Sequence, residues 1–311
     1  MQHEVRGGAS VGRRRRGMTL RAALGGCALV AASAVPAAAH GGGAGGGGGD
    51  GKTRAYVALG DSYTAGPLIP RQTDANCARS DQNYPSLVAA RLGTTPFKDV
   101  SCSGATTQEM WKAQGTNGPQ LDALGRTTDL VTVQVGGNDI GFGTIIGTCA
   151  GLAAQDPAGS PCQKYYGASG VDQLSVTIAR TAPKVAQVLR DVHRRSPHAR
   201  VLLVGYPDLL PDDGVGCAPS VPFAAGDFAY LRDTEKRVNL MLRLVAYASR
   251  TEYVDTYGPT VGHDMCKPAA DRWIEPLRPT SPAAPAHPNA KGEAAMAGAV
   301  LHRIDRGWHD R

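Results

Sequence analysis

A single three-layer α/β/α domain on a mostly parallel sheet is the fold class this sequence predicts, and three observations predict it. Strand-length apolar runs alternate with amphipathic helical stretches between residues 55 and 304. The runs at 55–59, 129–135 and 200–206 are largely apolar, as strands covered on both faces must be. No repeat at a fixed period and no second composition regime breaks the pattern, which makes one domain the economical organisation.

Each element has its own signal. Residues 55–59 are a short apolar run between a glycine-rich stretch and the turn-forming Gly60-Asp61, hence a first strand. Residues 84–92 predict a short helix and 129–135 a buried strand. Residues 171–195 carry a helical pattern that Pro183 is expected to interrupt or offset. A strand at 200–206, a long amphipathic helix at 228–249, a short strand at 252–255 and a closing helix at 289–304 complete the order. The intervening stretches 67–83 and 144–170 are expected to be loops that shape a pocket.

The amino terminus predicts export. Arg13 to Arg16 and Arg21 form a positive region, residues 22–35 are short and apolar, and Ala37-Ala38-Ala39 is a small-residue cleavage site, so 1–39 is expected to be a signal peptide. The apolar run is too short and alanine-rich for a good membrane anchor. The arginines also suit a twin-arginine route, and Leu24-Gly25-Gly26-Cys27 resembles a lipoprotein cleavage box preceded by too little apolar sequence. Residues 40–52, almost all glycine, are expected to be a flexible spacer, with the folded domain at 53–311.

The leader also carries the charge. It holds six of the 33 Lys and Arg and one of the 27 Asp and Glu, leaving 27 basic and 26 acidic residues beyond it. The basic balance belongs to the leader, so it gives no support to nucleic-acid or anionic-membrane binding, and no nucleic-acid partner is expected. Apart from Cys27, six of the seven cysteines remain: Cys77, Cys102, Cys149, Cys162, Cys217 and Cys266, an even number that fits an oxidising compartment. Six cysteines allow 15 pairings and the sequence selects none; the simplest is sequential. No Cys-x-x-Cys pattern points to zinc or thiol redox chemistry.

Four blocks carry the candidate chemistry. Ser62, in Gly60-Asp61-Ser62, falls just past the carboxyl end of the first strand, the edge at which open α/β sheets bind ligands. Taken alone, Gly-Asp-Ser is also an ordinary turn with an N-cap serine, and Asp61 is better read as a turn former than as a catalytic acid. Gly104, in the loop Ser101-Cys102-Ser103-Gly104-Ala105, has no side chain to shield its backbone N–H. Gly136-Gly137-Asn138-Asp139 follows the strand at 129–135 and offers the Asn138 amide as a donor at the same edge. His287, in a proline-rich loop before the closing helix, is a candidate general base. Among eight histidines, His3, His40, His193, His198, His302 and His309 lie in the leader, the spacer, charged helical stretches or the tail, leaving His263 and His287. A Gly-x-Ser-x-Gly match at Gly8 to Gly12 lacks a strand before it and a helix after it, and is rejected.

Together the stretches "ALGDSYTAG", "CSGATT", "VGGNDIGF" and "HPNAKGEAAMA" resemble, in order and placement, the SGNH or GDSL hydrolases, and with six cysteines they look like the secreted actinobacterial lipases and esterases of that family. The resemblance implies a flavodoxin-like sheet, Ser62 as nucleophile, His287 as general base, and an oxyanion hole from the N–H groups of Ser62 and Gly104 and the Asn138 side chain. Many members carry Asp three residues before the histidine, where this chain has Ala284. Some secreted relatives orient the histidine with a backbone carbonyl, so the Ala284 carbonyl is the expected acceptor, with Asp264 and Asp271 as substitutes. The implied chemistry is hydrolysis of fatty-acyl esters without metal or cofactor. Acetyl-sugar esters are the competing substrate class, and an inactive secreted binding module is the competing protein class. The expected partners are an ester or lipid substrate and transiently a lipid surface, with the chain acting as a monomer.

Overall fold

A computed structural model of the chain describes residues 54–306; the expected signal peptide, the spacer and residue 53 lie outside the described residues. In chain order the elements are β1 (Tyr56–Gly60), α1 (Ser62–Ala65), β2 (Gln72–Asp74), β3 (Arg79–Ser80), α2 (Tyr84–Leu92), β4 (Phe97–Asp99), β5 (Leu130–Gln134), α3 (Phe142–Ala153), α4 (Pro161–Gly167), α5 (Gln173–Arg195), β6 (Arg200–Val204), α6 (Asp227–Ala248), β7 (Glu252–Val254) and α7 (Ala290–Arg306). The main sheet has the order β4-β1-β5-β6-β7 and every pairing in it is parallel. Among those five strands in chain order this is 2-1-3-4-5, the flavodoxin-like arrangement with its ligand crevice beside the first strand.

Strand alternation sorts the core into two layers. Val57, Leu59, Val131, Val133, Val201 and Leu203 face α5 and α6, whereas Tyr56, Ala58, Leu202 and Val204 face α2 and α7. Helices therefore cover both faces, and fully burying each aliphatic side chain contributes about 1.5–3 kcal/mol.

Three expectations change. Helix α5 runs through Pro183 without interruption. Asp172 caps its amino terminus by accepting from Leu174 N and Ser175 N, and Leu174, Ile178, Val185, Val188, Leu189 and Val192 form a buried stripe that outweighs one missing N–H. The stretch 144–170 is not a loop, because most of α3 and all of α4 fall within it. Its glycines and β-branched residues are weak helix formers, and burial of Ile145 and Cys149 supports what propensity does not. The stretch 67–83 holds the β2–β3 pair.

The structure joins Cys77 to Cys102, Cys149 to Cys162 and Cys217 to Cys266. The second links α3 to α4, so the glycine-rich helix is braced covalently.

The end of β1 has no room for a side chain at Gly60. A Cβ there would land on the Thr64 hydroxyl and lie 2.9 Å from the Gln134 carbonyl oxygen. The Gln120 amide closes on the same residue, accepting from Gly60 N at 2.8 Å and donating to Gly60 O at 2.9 Å. Gly60→Ala is expected to lower unfolding free energy by roughly 1–3 kcal/mol, the usual cost of overpacking, read from urea denaturation.

Candidate active site

Ser62 begins α1, two residues past the end of β1, and is 9% exposed. The preceding Asp61 is the helix N-cap, its Oδ1 accepting from Tyr63 N at 3.0 Å. Burial pushes the Asp61 carboxyl up to about 7, while hydrogen bonds from Tyr206 and Tyr63 pull the other way. Asp61 thus serves the turn, as its residue type suggests.

His287 reaches the same point from the other end of the chain. Its Nε2 lies 2.7 Å from Ser62 Oγ, and its Nδ1 lies 2.8 Å from the Pro285 carbonyl oxygen. The expected orienting acceptor, Ala284, is displaced by one residue. Ala286 adopts a left-handed backbone, φ 59°, which turns the chain so that the Ala284 carbonyl accepts from His287 N at 3.2 Å and Pro285 is left for the ring. Neither substitute carboxylate, Asp264 or Asp271, bonds to His287, whose Nδ1 meets the Pro285 carbonyl and whose Nε2 meets Ser62 Oγ. Burial lowers the His287 pKa below its ordinary value, and the Pro285 carbonyl opposes part of that shift.

Tyr63, which the sequence reading did not single out, braces the pair. Its ring stacks on His287 with centroids 4.8 Å apart, and its hydroxyl donates to Ala286 O at 2.6 Å. The residue beside the serine therefore holds the turn that carries the histidine.

Gly104 and Asn138 stand at the same edge. Gly104 has φ 82°, a conformation that favours glycine, and a Cβ there would stand 3.8 Å from Gln114 Nε2. Asn138 donates one Nδ2 hydrogen to Ala105 O at 2.9 Å, so the two blocks are bonded to each other. Asp139 strengthens that link, accepting from Thr107 N at 2.8 Å and Thr107 Oγ1 at 2.6 Å. An amide has two donor hydrogens, and the second of Asn138 remains for a ligand.

Ser62, Gly137 and Asn138 line a cleft whose walls are otherwise mainly apolar. Ile140, Phe142, Ile145 and Ile146 line it together with Leu209, Leu210, Leu231, Val238 and Met265. Of the two stretches expected to shape the pocket, 144–170 contributes Ile145 and Ile146 and 67–83 contributes no lining residue. Among the described residues no group of three or more His, Cys, Asp or Glu is placed to hold a metal ion.

A strand–turn serine bonded to a histidine, beside converging donors at the mouth of an apolar cleft, is suited to acyl transfer. The chain matches the GDSL-like Lipase/Acylhydrolase family over residues 58–295 and belongs to it. It is a carboxylic ester hydrolase of that type. It is 42% identical over 253 residues to Lipase 2 of Streptomyces coelicolor, covering 79% of this chain and 84% of that one. Among solved structures it is similar to the phospholipase A1 of Streptomyces albidoflavus, with TM-score 0.67, 25% identity and coverage of 81% of this chain and 99% of that one. The extracellular lipase of Streptomyces rimosus matches with TM-score 0.66, 26% identity and coverage of 80% and 99%.

The histidine segment depends on a buried acid that sequence reasoning also missed. Glu275 N donates to His287 O and its carbonyl accepts from Ala286 N. Its carboxylate accepts from Asn289 Nδ2 at 2.9 Å, Thr280 N at 2.9 Å, Ser281 N at 3.2 Å and Arg272 Nη2 at 3.3 Å. These donors hold its pKa below the ordinary carboxylate range against the effect of burial. Glu275→Ala, which strands a buried guanidinium, is expected to cost about 3–5 kcal/mol of stability by urea unfolding.

Proposed function

We propose that the protein is a secreted serine esterase that cleaves fatty-acyl esters through an acyl-enzyme on Ser62, with His287 as general base. The 2.7 Å contact between Ser62 Oγ and His287 Nε2 at the mouth of the apolar cleft carries this reading. The acyl chain lies along the cleft, which places the ester carbonyl carbon at Ser62. As Oγ attacks, its proton passes to Nε2. The oxyanion accepts from Ser62 N, Gly104 N and the second Asn138 Nδ2 hydrogen. Collapse of the intermediate breaks the acyl–alkoxy bond, and the leaving oxygen takes the proton from His287. Water then attacks the acyl-enzyme by the same route in reverse.

The Pro285 carbonyl keeps the proton on Nδ1, so Nε2 faces the serine as acceptor. It fixes the tautomer without supplying the full negative charge of a triad carboxylate. Secretion is supported by the leader pattern, by three disulfides and by similarity to a lipase described as extracellular. The apolar walls favour fatty-acyl chains over acetyl groups on sugars.

The test is turnover of p-nitrophenyl esters from acetyl to palmitoyl. Medium or long chains are expected to be cleaved best. Ser62→Ala is expected to lose about 10⁴-fold or more in kcat, and Asn138→Ala about 100- to 1000-fold. An acetyl optimum would favour the sugar-ester reading, and no Ser62-dependent turnover would sink the esterase.

The pH profile supplies a second check. The base must be neutral, and burial keeps His287 neutral below its ordinary pKa of 6.5. kcat/KM is therefore expected to rise with pH through a His287 step lying below 6.5.

A further inference from the structure

Tyr206 lies two residues past the end of β6, far in sequence from every motif residue, yet it sits between two of them. Its hydroxyl donates to Asp61 Oδ2 at 2.6 Å and accepts from Gly137 N at 2.8 Å. A backbone N–H can only donate, so the single hydroxyl hydrogen points to the carboxylate. The other Asp61 oxygen already caps the serine turn through Tyr63 N. One hydroxyl thus joins the turn that presents Ser62 to the loop that presents Asn138.

Tyr206 is itself held in place. The Asn239 side chain grips its backbone, with Oδ1 accepting from Tyr206 N at 2.8 Å and Nδ2 donating to Tyr206 O at 2.9 Å. The preceding carbonyl, Gly205 O, accepts from Gln134 Nε2 at 2.6 Å and Thr256 Oγ1 at 2.7 Å. Its ring meets Tyr63 edge-on at 5.2 Å, and Tyr63 in turn stacks on His287. Gly137 also lies close: a Cβ there would stand 3.0 Å from the Tyr206 hydroxyl.

We propose that Tyr206 is a positioning residue whose hydroxyl ties the Gly137 amide to the Asp61 carboxylate and so holds the Asn138 donor in register with Ser62. The inference rests on the esterase reading of Ser62 and Asn138. It adds a residue that lines the cleft, spends its hydroxyl on Asp61 and Gly137, and acts through the two loops it bridges. An oxyanion donor set must fit the transition state closely, and a shift of about 1 Å can cost about 100-fold in rate.

The experiment compares wild type with Tyr206→Phe, using a p-nitrophenyl ester for kcat and KM and hydrogen exchange for the Gly137 amide. Tyr206→Phe is expected to lower kcat about 10- to 100-fold, leave KM within about twofold, and speed Gly137 exchange about tenfold or more. Tyr230→Phe is the control. It removes another tyrosine hydroxyl bonded to an aspartate, Asp172, away from these loops, and should leave kcat unchanged. Unchanged kcat in Tyr206→Phe would overturn the proposal, as would a loss confined to KM and melting temperature with Gly137 exchange unaltered.

Should Tyr206→Phe fail to fold, Gly137→Ala addresses the same contact from the opposite side. A fall in kcat at constant KM supports the proposal, and full activity overturns it. Should wild type itself hydrolyse no ester, the esterase reading falls, while Gly137 exchange in the same two proteins still decides whether Tyr206 holds the loop.

Discussion

Everything at the site hangs on how β1 ends. The strand is flanked on both sides by parallel neighbours, and at Gly60 the Thr64 side chain and the Gln134 carbonyl leave no space for a side chain. The chain turns there, Asp61 caps the new helix, and Ser62 emerges at the rim of the sheet. A strand so enclosed cannot slide without disturbing β4 and β5, so the serine inherits the rigidity of the core.

The histidine has no such strand beneath it and is held by other means. A two-residue bridge between Ile274 and Pro288, the buried Glu275 carboxylate and the Tyr63 hydroxyl together fix a proline-rich segment. This arrangement explains how the site does without an aspartate before His287. The orientation of the ring comes from a backbone carbonyl whose position is set by its neighbours.

Local features were legible in the sequence, and features made by distant residues were not. Gly60-Asp61-Ser62, the glycines near Asn138 and the alternation of strands and helices all act within a few residues, so their residue types disclose them. The Pro285 carbonyl was missed by one position because nothing in an alanine-proline run shows that Ala286 takes a left-handed turn. Helix α3 was missed because its support is burial and a disulfide rather than propensity. Tyr206 was invisible for a simpler reason: its partners lie 145 and 69 positions away.

The disulfides fall beside different parts of the site. Cys102 lies two residues before Gly104, Cys266 follows Met265 of the cleft, and Cys149 belongs to α3, which supplies Ile145 and Ile146. The link between α3 and α4 therefore braces a cleft wall, and the first residue of α3, Phe142, meets the His287 ring edge-on at 6.2 Å. Breaking that one bond would loosen the helix that brings Ile145 and Ile146 to the cleft before it parted Ser62 from His287. The shape of that wall then depends on the oxidation state of two cysteines that do not themselves line the cleft.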